Sequence, residues 1–180
     1  MSRPVSGTGL SYTTFDTKSG WVALLASSSG LRQLILPQPS PEAAIHMVLS
    51  AAGQLAIHIS PEPPDSPFFA STVSQLRHYF HGEPVRLTGK IDLSGATDFQ
   101  RRVWMAAYTI PYGKTRTYAW LARQSGCPRG ARAVGQALSV NPLPLVIPCH
   151  RVVRCNGSIG GFSDGIETKR RLLRLEGALQ

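Results

Sequence analysis

The hydrophobic rhythm of the chain changes at Ser94-Gly95-Ala96, and this change limits the folds open to it. Before that point, apolar residues fall in short β-rich runs: Ser11 to Asp16, Trp21 to Ala26 and Leu31 to Leu36. Gly20 and Gly30 punctuate these runs, which is the pattern of an antiparallel meander. Two helices are expected in the same half. Pro41 to Ala52 is one; Phe68 to His81 is the other, with Phe69, Val73, Leu76 and Phe80 at helical spacing before Gly82. A proline-rich loop, Pro61 to Pro67, separates them, and Val85 to Leu93 follows as a strand-like run. Beyond the break the helical period takes over. Thr97 and Gln100 have the form of a capping box, and Phe99, Val103, Ala106, Ala107 and Ile110 make one apolar face that Pro111 ends. The expectation is two domains, residues 1–93 and 97–180, which 180 residues accommodate.

Charge divides at the same place. Up to Asp98 the net charge is −1, whereas from Phe99 onward it is +10, which accounts for the +9 of the whole chain. A domain this basic suits a polyanion, most simply nucleic acid, through phosphate neutralisation; a basic surface tuned for solubility is the alternative. With 42% apolar and 16% charged residues the composition is that of a folded protein. No apolar run approaches the roughly 20 residues of a bilayer crossing, and the start lacks a secretory signal, so a cytoplasmic protein with no membrane partner is expected. Cys127, Cys149 and Cys155 are odd in number and lack paired spacing, which argues for free thiols. His46, His58, His78, His81 and His150 are scattered, so no metal site is expected.

Within the basic half, Thr117 can cap a helix from Tyr118 to about Gln124. Ser125-Gly126-Cys127-Pro128 breaks it, and a further helix runs from about Gly130 to Ser139, which together suggest helix-turn-helix. The second helix of that pair is poor in the long polar side chains that read a major groove. Its small residues let a backbone come close to another surface, either a minor groove that Arg132 penetrates or a neighbouring helix in a core.

Leu145-Val146-Ile147 reads as a buried strand, and it runs into Pro148-Cys149-His150-Arg151-Val152. An adjacent thiol and imidazole carry no chemistry by themselves, since neighbouring side chains point in different directions and buried cysteine behaves as a small hydrophobe. Asn156-Gly157 then signals a tight hairpin. In the last helix Asp164 and Glu167 can form an N-terminal cap, and Leu172, Leu175 and Leu179 give an apolar stripe. Glu176 lies at the wrong end for the helix dipole, and Lys169, Arg170 and Arg171 lie early where cations are disfavoured. Either the charges are simply solvated, or a phosphate engages the cations and an imidazole engages Glu176.

These residues resemble the O6-alkylguanine-DNA alkyltransferase family, also called methylated-DNA–protein-cysteine methyltransferases. The motifs run in order from Thr97-Asp98-Phe99-Gln100 through Ile110-Pro111-Tyr112-Gly113, Thr117-Tyr118, Arg132-Ala133-Val134-Gly135 and Asn141-Pro142. They end with Pro148-Cys149-His150-Arg151-Val152 and Leu175-Glu176-Gly177, so the likeness covers roughly the last 84 residues. The resemblance implies an α/β, ribonuclease-H-like N-terminal domain and a mainly α, winged-helix-like C-terminal domain with helix-turn-helix. It implies a DNA repair protein that flips O6-alkylguanine, mainly O6-methylguanine and also O4-methylthymine, out of duplex DNA and takes the alkyl group irreversibly, in one turnover and without cofactor. Cys149 would be the acceptor, His150 its base through a water, Glu176 the group that orients His150, Tyr118 the donor to guanine N3 and Asn141 a brace. Val152, Ser163 and Pro144 would meet the substrate, with Ser163 donating toward O6. Arg132, Thr117, Ala131, Ala133, Gly135, Gln136 and Arg151 would contact DNA through the minor groove, largely without sequence preference, in a monomer that can bind cooperatively. The chain departs from the family at Asp164, where glycine is common, and at Val140, where a basic or small residue is common. Three other classes remain as alternatives: a non-enzymatic alkylguanine-binding protein, a helix-turn-helix regulator and a thiol hydrolase.

Overall fold

A computed structural model of the chain describes residues 9–53 and 59–179; His58 lies outside them. The chain divides into two compact units: one runs up to Val73 and includes Gly89–Asp92, the other comprises Ser74–Thr88 and Leu93–Gln180. No helix among the described residues is long and apolar enough to cross a membrane.

In the first unit β1 (Leu10–Thr17), β2 (Gly20–Ser27) and β3 (Gly30–Gln38) form the expected meander, and β4 (Ile59–Pro61) joins β1 in parallel to give the order β3-β2-β1-β4. The central strand β2 buries Val22 to Ala26 without a break, which is why it reads as an apolar run rather than an alternation. Helix α1 (Pro41–Ala52) begins where Ser40 accepts from the Ala43 amide at 3.2 Å, with proline in the first turn and Glu42 beside the positive helix end. Its Ala44, Val48 and Ala52 pack into a core with Leu10, Ala23, Leu25 and Ile35.

The strand-like reading of Val85 to Leu93 is corrected. Only an isolated bridge pairs Leu31 with Ile91, because the Thr88 amide donates to the Gln75 side chain at 2.7 Å and that of Val85 to the Glu83 carbonyl at 2.8 Å. Those donors are therefore engaged locally rather than in a ladder.

Helix α2 (Ala70–Phe80) leads into the second unit, with Leu76, Tyr79 and Phe80 buried. Residues 74–88, which the sequence assigns to the first domain, cluster with the second unit. Tyr79 reaches Glu176, and the hydroxyls of Tyr108 and Tyr112 lie near the Leu87 and Gly82 carbonyls. Helices α3 (Asp98–Tyr108), α4 (Tyr118–Gln124) and α5 (Ala131–Ser139) pack together, and the Trp104 indole donates to the Ala137 carbonyl at 2.8 Å. The Thr97–Gln100 capping box is formed in both directions, and Thr117 caps α4. Strand β5 (Arg116–Thr117) pairs in parallel with β6 (Val152–Val153), and α6 (Ile166–Leu175) closes the unit.

Three local expectations are corrected here. Leu145 to Ile147 forms a turn, not a strand, and Leu145 adopts φ +72°. Asn156-Gly157 makes a tight turn, with the Arg154 amide on the Ser158 carbonyl at 2.9 Å, but no second strand returns from it. The last helix starts at Gly165 without a side-chain cap, since Asp164 accepts from Ser163 and Glu167 pairs with Arg170.

Candidate active site

Cys149 opens a single 3-10 turn, Cys149–Arg151, at the end of an irregular segment that Asn141 braces. The Asn141 amide nitrogen donates to the Ile147 carbonyl at 2.8 Å and to Cys149 Sγ at 3.1 Å, while its oxygen accepts from the Leu143 amide at 3.0 Å. One side chain thus fixes both ends of the turn and the sulfur. Leu145 holds a left-handed backbone inside it, a conformation that costs an ordinary side chain roughly 1–3 kcal/mol and persists only where packing enforces it. The thiol is 4% exposed. Burial pushes it up to about 11, against the pull of the Asn141 hydrogen bond and the Lys169 charge.

Next in the chain after Cys149, His150 places its Nε2 2.7 Å from Glu176 Oε1. That carboxylate also accepts from Tyr79 at 2.7 Å, from Arg151 Nε at 2.9 Å and Nη2 at 3.0 Å, and from the Gly113 amide at 3.1 Å. Burial alone would raise the Glu176 carboxyl, but His150 and Arg151 together hold it down at about 2. The permanent Arg151 cation makes ionised Glu176 the resting state. Burial lowers His150, so the imidazole rests neutral, its Nε2 proton directed to Glu176. Nδ1 is buried and has no partner among the described residues, which leaves one imidazole lone pair open to accept a proton.

Glu176 sits at the C-terminal cap of α6, where the helix dipole opposes it; this cluster of donors is the compensation. Gly113, at φ +68°, brings its backbone close enough to donate, since a Cβ there would lie 3.0 Å from the Glu176 carbonyl. The expectation that Arg151 contacts DNA is corrected. Its guanidinium is buried, clasps Glu176 and donates to the Ile110 carbonyl at 2.6 Å.

A cavity of about 470 Å³ has Cys149 in its wall. The parallel β5–β6 pair sets Thr117 opposite Val153, and Tyr118 follows on α4, so the phenol and the thiol line the same space. Helix α5 contributes Ala131, Arg132, Gly135, Gln136, Leu138 and Ser139 to the wall, while Val134 and Ala137 are buried away from it. Its small-residue face is therefore turned outward to the opening. Arg132, Ala133 and Gln136 are exposed. Ser163 also lines the cavity, with its hydroxyl donated to Asp164 Oδ2 at 2.9 Å.

Pro144 and Val152, expected to meet the substrate, are buried and are not part of the cavity wall. The Val152 carbonyl instead accepts from Lys169 Nζ at 2.5 Å. The Thr117 hydroxyl accepts from the Trp120 amide at 3.1 Å as a helix cap.

Three residues of this region carried no sequence signal of their own: Tyr79, Arg154 and Phe162. Lys169 is wholly buried; it donates to the Val152 and Gly161 carbonyls and sits 5.7 Å over the Tyr118 ring. Burial lowers it to about 8, with the Cys149 sulfur acting in the opposite sense. Its early place in α6, where a cation is disfavoured, was the one available hint. Burial raises the Tyr118 phenol, as does Cys149, and Arg154 counters them. Among the described residues, no group of His, Cys, Asp and Glu could hold a metal ion.

Residues 98–178 match the family profile described as 6-O-methylguanine DNA methyltransferase, DNA binding domain. The chain is 40% identical over 165 residues to a Mycobacterium tuberculosis methylated-DNA–protein-cysteine methyltransferase, spanning 92% of this chain and 91% of that one. A Mycobacterium leprae protein of the same name is 49% identical over 113 residues, which is 63% of this chain and 68% of the relative. Among solved structures, Mycobacterium tuberculosis OGT in complex with DNA superposes with a TM-score of 0.74 at 40% identity, covering 92% of both chains. The O6-methylguanine-DNA methyltransferase of the archaeon Pyrococcus kodakaraensis reaches 0.65 at 28% identity, covering 93% of this chain and 99% of that one. With the thiol, the imidazole–carboxylate couple and the cavity gathered in one unit, and with relatives aligned over nearly the whole length, the chain belongs to the methylated-DNA–protein-cysteine methyltransferase family.

Proposed function

We propose that the protein repairs O6-alkylguanine in duplex DNA by moving the alkyl group onto its own Cys149, once per molecule. The observation that carries this reading is a cavity-lining thiol with a neutral imidazole next in the chain, whose far nitrogen is fixed by an ionised, multiply hydrogen-bonded carboxylate. Sγ attacks the alkyl carbon, the S–C bond forms as the C–O6 bond breaks, and the bonding pair leaves on the purine oxygen. The thiol proton passes through a water to His150 Nδ1, and Glu176 steadies the imidazolium that results. Tyr118 donates toward purine N3, so the base departs without full negative charge. Lys169 offsets the thiolate charge as it develops. A thiol resting near 11 is protonated until attack, so base assistance belongs to the chemical step itself.

The purine must leave the stack to reach a buried cysteine in a cavity wall. The exposed small-residue face of α5 suits a minor groove, with Arg132 filling the vacated place in the stack; Ala131, Ala133, Gly135 and Gln136 allow the close approach. Ser163 turns from Asp164 to donate toward O6, and Asn141 keeps the sulfur in line. In this reading residues 97–180 form a winged-helix-like domain and residues 1–93 a ribonuclease-H-like support. The protein acts as a cytoplasmic monomer with no cofactor. Incubation with a duplex carrying isotopically labelled O6-methylguanine, followed by intact and peptide mass analysis, is expected to show one methyl group, on Cys149. More than one turnover per protein, or label on Cys155, overturns the assignment.

A further inference from the structure

Two arginines border the cavity, and only one has a role so far. Arg154 follows β6 in a tight turn, its amide on the Ser158 carbonyl at 2.9 Å and its carbonyl accepting from Gly157 at 3.1 Å. Its stem passes Gly160. A Cβ built on that glycine would lie 3.5 Å from Arg154 Cγ and 3.1 Å from the Tyr118 ring, so the missing side chain lets arginine and phenol close on the opening together. The Arg154 side chain lines the same cavity as Cys149, is exposed, and makes no side-chain hydrogen bond or ion pair among the described residues.

Other cations of this region are engaged. Arg151 clasps Glu176, Lys169 donates to two carbonyls, and Arg116 lies over Trp120.

An O6-alkylguanine base is neutral and calls for uncharged donors and acceptors, which Tyr118, Ser163 and backbone groups supply. The anionic part of an extruded nucleotide is its phosphate, and the planar guanidinium fork matches phosphate oxygens. Resting on the DNA-repair reading above, we infer that Arg154 grips a backbone phosphate flanking the extruded nucleotide, holding that nucleotide in the cavity while Arg132 occupies the stack.

The test is a single-turnover rate comparison between wild type, Arg154→Ala and Arg154→Lys. The substrates are an O6-methylguanine duplex with natural linkages and two duplexes bearing one neutral methylphosphonate, either 5′ or 3′ to the lesion. Arg154→Ala is expected to slow the natural duplex by on the order of 10- to 100-fold, the loss of a hydrogen bond to a charged group, with Arg154→Lys recovering part of it. At one of the two linkages the methylphosphonate should slow wild type by a similar factor and leave Arg154→Ala no slower, because both changes remove the same contact. Losses that multiply at both linkages overturn the inference, provided wild type gains its methyl group on Cys149. Absence of that methyl on wild type overturns the functional reading itself. Thermal unfolding of Arg154→Ala at the wild-type temperature is expected, since the side chain has no hydrogen-bond or ion-pair partner among the described residues, and a large drop would count against the placement.

Discussion

A thiol that rests near 11 is almost wholly protonated at neutral pH, so Cys149 is a guarded nucleophile rather than a standing thiolate. Alkylation of Cys149 by iodoacetamide, followed by peptide mass spectrometry, is expected to be slow at pH 7 and to rise with a midpoint near 11. Lys169→Met should slow methyl transfer at pH 7, where Lys169 still carries its charge, because it removes the cation that favours the developing thiolate; an unchanged single-turnover rate would separate Lys169 from the sulfur. How far each residue was legible follows from where its partners lie. Cys149 and His150 are neighbours in sequence and invite inspection. Tyr79 reaches the same centre from another helix, and a tyrosine on an amphipathic helix looks ordinary until the chain folds, whereas Lys169 shows in sequence only as a cation placed early in a helix where the dipole disfavours it. Arg151 misleads for the same reason: the resemblance implies a DNA contact, whereas its partner Glu176 lies 25 residues away.

Among the elements, local chemistry wrote the helix starts plainly. Ser40, Thr97 and Thr117 each accept from an amide three residues on, and α1, α3 and α4 begin where those caps dictate. The runs around Val85–Leu93 and Leu145–Ile147 look like strands because apolar and β-branched residues favour a pleated, half-buried surface. A strand also needs an edge to pair with, and that edge is a non-local fact. The glycines near the cavity separate in the same way. Gly135 sits in α5, where an added Cβ would meet only the Tyr118 ring at 3.8 Å, while Gly160 has φ +76° and would meet that ring at 3.1 Å. Gly135→Ala is therefore expected to stabilise the fold by up to about 1 kcal/mol through helix propensity. Gly160→Ala should cost about 1–2 kcal/mol in backbone strain and lower the transfer rate by displacing Tyr118. Denaturant unfolding and single-turnover rates of the two variants test the contrast; equal effects would show that the approach of Tyr118 to Gly160 does not matter.

For the whole molecule, acid is the sharpest challenge, because two buried groups favour folding in forms that acid removes. Burial lowers His150 below its ordinary value, so the unfolded chain takes up this proton first as pH drops through about 6.5. Glu176 is held at about 2 against an ordinary 4.5; its contribution is fully present above 4.5 and disappears as pH falls toward 2, a loss of about 3 kcal/mol. Denaturant unfolding free energy is expected to decline below pH 6.5 and more steeply below 4.5. Glu176→Gln should be less stable at neutral pH by about 3–5 kcal/mol, since Arg151 is left buried without a counter-charge, and should lose the steep lower limb. A variant with the wild-type acid profile would remove Glu176 from that account.

The break in periodicity, the meander, the caps, the concentration of positive charge after Phe99 and the adjacency of thiol and imidazole are legible in residue order, since each is a property of residues close together along the chain. Which nitrogen of His150 is engaged, the internal place of Arg151, the outward small face of α5 and the position of Arg154 at the opening emerge only on folding. Those outcomes depend on which distant groups meet, and on the burial that sets their charge, and neither is written in any short stretch of chain.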